Sequence, residues 1–234
     1  VKPLSSEFLA NHYSSLSHLW NDIRTKQLVE SVVVPGESKE KPKLNTDQDI
    51  IADILENPDV VNIERWQKEY EIVDKQQLGS QPGVTVLHKP TGNKYYVKFT
   101  GVARVGIEDL ANRLYRLAGV PVAFSSVMST EKGFAIGSKW LPNAQRVPAD
   151  SDEAIKTFVR AKPEILNNFV VDAWLANWDV VGFDYDNLVY SNGKVYRIDQ
   201  GGSMMLRAQG AVKPFTDKVP ELESMRDPEK SPQA

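Results

Sequence analysis

The stretch WLANWDVVGFDYDNLVYSNGKVYRIDQGG, Trp174 to Gly202, governs how the chain is read. Its first residues close an apolar helix, and a loop carrying Asp179, Asp184, Asp186 and Asn187 follows. Leu188-Val189-Tyr190 and Val195-Tyr196-Arg197-Ile198 have strand composition and are joined by Ser191-Asn192-Gly193-Lys194, an Asn-Gly hairpin signal. Asp199 directly follows the second strand, and Gly201-Gly202 let the backbone turn away. A loop carboxylate, a loop amide and a strand-end carboxylate are thereby expected in one place. Such a set suits phosphoryl transfer, in which one carboxylate takes the acceptor's proton. An Asn oxygen and a second carboxylate then hold magnesium on the nucleotide phosphates. Asp, Asn and Gly are also the commonest turn residues, so this stretch by itself reads equally well as a plain hairpin. The phosphoryl-transfer reading requires a nucleotide cradle elsewhere in the chain.

Upstream, the pattern supplies the parts of such a cradle. Leu78-Gly79-Ser80-Gln81-Pro82-Gly83 is a small-residue loop, followed by a strand from Val84 to His88, a turn at Lys89 to Asn93, and a second strand, Tyr95 to Phe99. Small residues let backbone amides approach phosphates, and a strand lysine, here Lys98, neutralises charge. Alternation puts Val97 and Phe99 on one face and Lys98 with Tyr96 on the other, facing either a cleft or water. The next apolar stripe (Ile107, Leu110, Ala111, Leu114, Leu117) marks a helix stopped by Gly119-Val120-Pro121, with Glu108 in its first turn. An acid there is favourable in any helix, and it is also placed to pair with Lys98.

Two further strands, Phe124 to Ser129 and Gly133 to Trp140, close the small sheet. Lys139-Trp140-Leu141 then crosses into a helical half, where backbone groups can meet a nucleotide's base edge; Trp140 reads equally as a core residue. A helix from Asp150 to Ala161, capped by Asp150 or Ser151, precedes another opened by Pro163. The second is expected to bury Ile165, Leu166, Phe169, Val170, Ala173 and Trp174 and to deliver Asp179 to the cleft. At the other end, Pro3 to Glu30 and Asp47 to Glu56 read as helices separated by a charged linker at 32–43, with a third short helix from Val61 to Tyr70. The expected organisation is a helical extension over 1–75, a sheet half over 76–142 and a helical half over 143–234.

Composition narrows the function classes. The 41% hydrophobic and 25% charged content is that of a soluble globular protein. A net charge of −3 without a dense basic stripe argues against a nucleic-acid partner. The absence of cysteine excludes disulfides, thiolate zinc sites and cysteine nucleophiles. His12, His18 and His88 lie far in sequence from the acidic loop and show neither triad nor metal spacing, which removes the usual support for serine and zinc hydrolases. The apolar runs fall short of a transmembrane segment. A soluble protein is expected, cytoplasmic or exported into a host cell as an effector.

The order LGSQPG, YYVKF, IEDLANRLYRLAGVPV, GSKWL, NWDVVGFDYDNLVY and YRIDQGGSMMLRAQG resembles the atypical kinase-like superfamily. That group includes the phosphoinositide 3- and 4-kinases, the actin-fragmin kinase and the HipA-type kinases. The segments are most similar to a kinase-like domain of bacterial effector and phage-associated proteins. The resemblance spans about Leu78 to Gly210 and implies a two-lobed α+β kinase-like fold that uses ATP and Mg2+. It implies Gly79, Ser80 and Gly83 over the phosphates, Lys98 on them with Glu108 as partner, and Lys139, Trp140 and Leu141 beside the base. It also implies Asn187 and Asp199 as metal ligands and Asp179 as the catalytic carboxylate. Kinases of this class usually place the Asn five residues after that Asp; here Asn187 follows Asp179 by eight and Asp184 by three, so either the loop carries an insertion and Asp179 remains the base, or Asp184 or Asp186 takes its place. Asp179 is favoured because it emerges straight from the apolar helix. The stretch after Asp199 is too short for a large helical lobe, so the domain is either compact or stops early. A protein Ser/Thr hydroxyl is the first expected acceptor and a phosphoinositide the second. Transfer of AMP and a non-catalytic scaffold are the rival functions.

Overall fold

The computed structural model describes residues 60–182, 184–215 and 218–231. The two expected N-terminal helices, the charged linker, His12 and His18 lie outside these residues. The described part belongs to one compact unit, Pro58–Ala234, and its class is α+β, as expected.

Its first layer is a six-stranded sheet. In chain order the elements are β1 (Val60–Val61), α1 (Ile63–Glu69), β2 (Tyr70–Asp74), β3 (Gly83–His88), β4 (Asn93–Phe99), α2 (Val102–Leu117), β5 (Ser125–Thr130) and β6 (Gly133–Lys139). The strand order is β1-β5-β6-β4-β3-β2, antiparallel except for the β1–β5 pair. The sheet therefore begins earlier than residue 76: β1 and β2 are strands of it, joined through α1, although the sequence reading assigned all three to the extension. Asn62 caps α1 by accepting the Arg65 N–H at 2.9 Å, and the helix turns the buried Trp66 onto the sheet. One face of the sheet (Val84, Val86, Tyr95, Val97, Met128, Ala135) packs with Val61 and Trp66 as a core. The other face is covered by α2. On β4, Lys98 is paired across the sheet with Gly83 and with the fully buried Ile136, so it points toward protein rather than bulk water.

The second half contains β7 (Gln145–Arg146), α3 (Asp152–Ala161), α4 (Glu164–Asn167), α5 (Phe169–Trp174), β8 (Leu188–Ser191), β9 (Lys194–Arg197), a 3₁₀ turn (Gln200–Gly202) and α6 (Glu221–Ser224). Strands β7-β8-β9 form a three-stranded antiparallel sheet. The β8–β9 connection is the expected hairpin: Asn192 and Gly193 have φ of 48° and 83°, the paired left-handed residues of a two-residue turn. Ser151 caps α3 by accepting the Ala154 N–H at 3.2 Å.

One expectation fails here. Instead of a single helix burying a continuous apolar face, the chain breaks at Asn168 into α4 and α5. The break disrupts the helical phase, so Ile165 and Ala173 are buried while Leu166, Val170 and Trp174 are exposed. Beside Ala173, α5 turns Asp172 inward, held there by Arg197 of β9.

Candidate active site

Lys98 Nζ donates to Glu108 Oε1 at 2.6 Å and to Asp199 Oδ1 at 2.8 Å. The three residues come from β4, α2 and the end of β9, so this ammonium joins the two halves. Glu108 is 1% exposed, Lys98 12% and Asp199 35%. Burial opposes the charge on Lys98, but Glu108 and Asp199 outweigh it and hold the ammonium above the ordinary lysine value. Burial pushes the Glu108 carboxyl up, with Lys98 only partly offsetting it. Burial also works against ionised Asp199, yet Lys98, Arg104 and the Gly201 N–H more than compensate and keep it below the usual carboxylate range. Asp199 is therefore the half-open member of the cluster, with its carboxylate held in the ionised form.

Glu108 is not in the first turn of its helix, as the sequence reading placed it. The helix begins at Val102 behind Gly101, and its first turn holds no acid. Glu108 lies one turn further in, on the buried stripe, so its stabilising partner is Lys98 rather than the helix terminus.

The Asp179 loop closes on the same place. Asn187 donates its side-chain amide to the Asp179 carbonyl at 2.7 Å, leaving its oxygen as the end that can meet a cation. Burial raises the Asp179 carboxyl, the charges of Asp199 and Asp186 raise it further, and Asn187 and Arg104 oppose them. Upward displacement suits a group that must accept a proton near neutral pH. Gly182 makes the eight-residue spacing possible. It sits at φ +74° with Asp186 and Asn187 packed where a Cβ would stand, and its N–H donates to the Asp179 carbonyl at 3.1 Å. Asp184 lies on the exposed side of this loop.

The small-residue loop is an exposed bend over 79–81 leading into β3. Open space surrounds the Cβ position of Gly79, next to Ser80, whereas a Cβ at Gly83 would stand 2.6 Å from Tyr96 Cζ and 3.0 Å from the Val97 carbonyl. Tyr96 in turn accepts the Leu78 N–H at 2.9 Å, so the loop is anchored two residues away from Lys98 on the same strand. At the crossing, Trp140 is 47% exposed and so is not a core residue. The Lys139 and Trp140 N–H groups donate to the carbonyls of Phe124 (2.7 Å) and Lys94 (2.8 Å). A base bound there would have to use their carbonyls or Leu141.

Several residues that matter here were not singled out from sequence. Arg104, on α2, acts electrostatically on Glu108, Asp179 and Asp199. Its side chain fills the space beside Gly201, where a Cβ would lie 2.7 Å from Arg104 Nε and 3.2 Å from Glu108 Oε2. Gly201 is thus required for close approach, while the sharp turn is taken by Asp199 itself, at φ 58° and ψ 61°. A non-glycine residue in this conformation is strained and is held by its surroundings.

Behind the site runs a buried polar network. Arg197 clamps Asp172 through Nε at 2.5 Å and Nη2 at 2.6 Å, and Tyr115 of α2 donates to the same carboxylate at 2.9 Å. Asn177 then reaches Tyr115 at 3.1 Å and Gln200 at 2.7 Å. The network fixes α2, α5 and the 3₁₀ turn relative to one another. Its sequence signal was an acid, Asp172, inside an apolar helical run.

Asp199, Asn187 and Asp179 offer carboxylate and amide oxygens, the hard donors magnesium prefers. Among the described residues, no three or more His, Cys, Asp or Glu side chains form a self-contained metal cage. Among the described residues, no helix is long and apolar enough to cross a membrane.

No family model matches this chain, and no curated protein does. Among solved structures, the chain is similar to the Helicobacter pylori proinflammatory kinase CtkA, at 15% sequence identity and a TM-score of 0.45. The match covers 57% of this chain and spans 57% of that one.

Proposed function

We propose that this chain is an ATP- and magnesium-dependent phosphotransferase that delivers the γ-phosphoryl group to a hydroxyl, with a protein Ser/Thr side chain as acceptor. The observation that carries this reading is Lys98 held between Glu108 at 2.6 Å and Asp199 at 2.8 Å. A buried ammonium braced by one fully buried carboxylate and facing a half-open second one is poised for polyphosphate, and an isolated structural ion pair would not need the third member.

In this mechanism Lys98 binds phosphate oxygens while Glu108 keeps it from swinging away. The Gly79–Gly83 loop covers the phosphates, and Lys139 to Leu141 border the base. Asn187 and Asp199 are the residues that would hold magnesium, which would supply positive charge to offset that of the phosphates. Asp179 orients the acceptor hydroxyl and takes its proton. The hydroxyl oxygen bonds to the γ-phosphorus as the bond to the β–γ bridging oxygen breaks, and ADP leaves with that electron pair. Most of the acceleration comes from positioning and fixed charge.

The test is thermal denaturation of the full chain with ATP, with and without magnesium, for wild type and Asp199→Ala. Ligand at about 100 times its dissociation constant adds roughly 2.7 kcal/mol. The expected result is a magnesium-dependent stabilisation of wild type that Asp199→Ala loses. No stabilisation of wild type by ATP with magnesium overturns the reading. Mass analysis of modified protein then separates an added phosphoryl group from an adenylyl group.

A further inference from the structure

Beyond the 3₁₀ turn the chain doubles back. Leu206 and Val212 form an antiparallel bridge, the Arg207 N–H donates to the Ala211 carbonyl at 2.7 Å, and the Lys213 N–H donates to the Met205 carbonyl at 2.9 Å. Gly210, at φ +84°, makes the reversal. This hairpin, residues 205–213, carries Lys213 into the interior, where it is 2% exposed. Its Nζ donates to the Ala176 carbonyl and, at 2.7 Å, to the Gly202 carbonyl, and it lies 4.7 Å from the centre of the Trp178 ring. Ala176 stands three residues before Asp179, and Gly202 three after Asp199.

Packing does not ask for an ammonium here. Burial pushes Lys213 down to about 8, with Glu221 and Asp179 pulling up and Arg207 pushing down. A methionine would fill similar space without that penalty. What methionine cannot do is hold carbonyls from two different loops. One of them belongs to Ala176, a non-glycine residue at φ +47°, a conformation that persists only when its surroundings hold it. Two other links run between the same loops, Met204 N–H to the Leu175 carbonyl at 2.6 Å and Asn177 to Gln200 at 2.7 Å. Lys213 differs in arriving from a third segment.

We propose that Lys213 is a positioning residue: it ties the loop bearing Asp179 to the turn bearing Asp199 and so sets the spacing between the proton acceptor and the metal ligand. Its catalytic meaning rests on the phosphotransferase reading, whereas the tie itself rests on the contacts above.

Two measurements on the full chain, comparing wild type with Lys213→Met and Lys213→Arg, test both parts. In hydrogen–deuterium exchange, losing two hydrogen bonds from a charged donor should speed amides of 175–182 and 200–206 by about 10- to 100-fold in Lys213→Met. The β3–β4 amides should keep their wild-type rates, and Lys213→Arg should restore part of the protection. In ATP hydrolysis with magnesium, Lys213→Met should lose at least about tenfold in kcat, because small misplacement is costly for transfer, with KM for ATP nearly unchanged. Wild-type exchange in both loops, or acceleration equal to that of β3–β4, overturns the tie. A Lys213→Met enzyme with lost loop protection but unchanged kcat overturns the positioning role. If wild type neither binds nor hydrolyses ATP with magnesium, the phosphotransferase reading fails, and the exchange data still decide the tie.

Discussion

Replacing Lys98 by methionine tests the central cluster most directly. The substitution keeps most of the side chain's volume and removes the one cation that, among the described residues, is hydrogen-bonded to Glu108, which is 1% exposed. Removing one partner of a buried pair costs about 3–5 kcal/mol, because the remaining charge is left uncompensated. Asp199, more open to solvent, adds little to that cost. In a chain of this size each kcal/mol lowers Tm by about 2–4 °C, so a loss of 3 kcal/mol corresponds to roughly 6–12 °C.

The deficit should depend on pH with a definite sign. Burial already raises the Glu108 carboxyl in the presence of Lys98, and without the ammonium it rises further. A carboxyl with a folded pKa above its unfolded value binds more protons when folded, so its contribution is present at acid pH and lost as pH climbs through the folded value. Lys98→Met should therefore be closest to wild type near pH 5 and furthest at pH 8. Urea denaturation at a series of pH values measures this. The double variant Lys98→Met/Glu108→Leu should recover most of the loss at pH 8, since an apolar pair of similar volume carries no buried charge. A deficit under about 1 kcal/mol at pH 8, a deficit flat with pH, or a double variant equal to the sum of its singles would refute this account of the cluster.

Three further outcomes follow from the same physics. Lys213, pushed down to about 8 by burial, binds fewer protons folded than unfolded up to the ordinary lysine range, so wild-type stability should gain on Lys213→Met by about 3 kcal/mol as pH rises through that window; parallel pH curves for the two proteins would contradict it. Arg197→Met should cost about 3–5 kcal/mol by stranding Asp172, and Arg197→Met/Asp172→Leu should return much of it in denaturant titration. Gly83→Ala should cost about 1–3 kcal/mol because the new methyl meets Tyr96, and the cost should shrink in a Tyr96→Ala background, as a double-mutant cycle would measure.

What was readable in the linear chain was local. The period-2 stretches of β3 to β6, the Asn-Gly hairpin at 192–193 and the Ser151 cap rest on neighbours a few residues away, and these elements formed close to where the pattern put them. The presence of a strand lysine, a helix acid and a strand-end Asp in the right order was also legible. Their meeting was not. Alternation alone left Lys98 facing either water or a cleft, and it took α2 lying across the sheet to bring Glu108 within 2.6 Å. The start of α2 was misread because Gly106, a poor helix residue, interrupts the apolar run of Val102, Ala103 and Val105 ahead of Ile107. The single helix expected over 163–174 was misread for the opposite reason: its apolar signal was strong, but the chain breaks at Asn168 and turns Asp172 inward to Arg197.

The sequence by itself determined which chemistry the chain can attempt, because a side chain's titratable and coordinating groups are local properties of its residue type. Only the tertiary structure decided which of those groups act together. The interactions of Lys98 with Asp199, of Arg104 with the carboxylates and of Lys213 with two loops fall off over a few ångströms. They join residues far apart in the chain, so no periodicity records them.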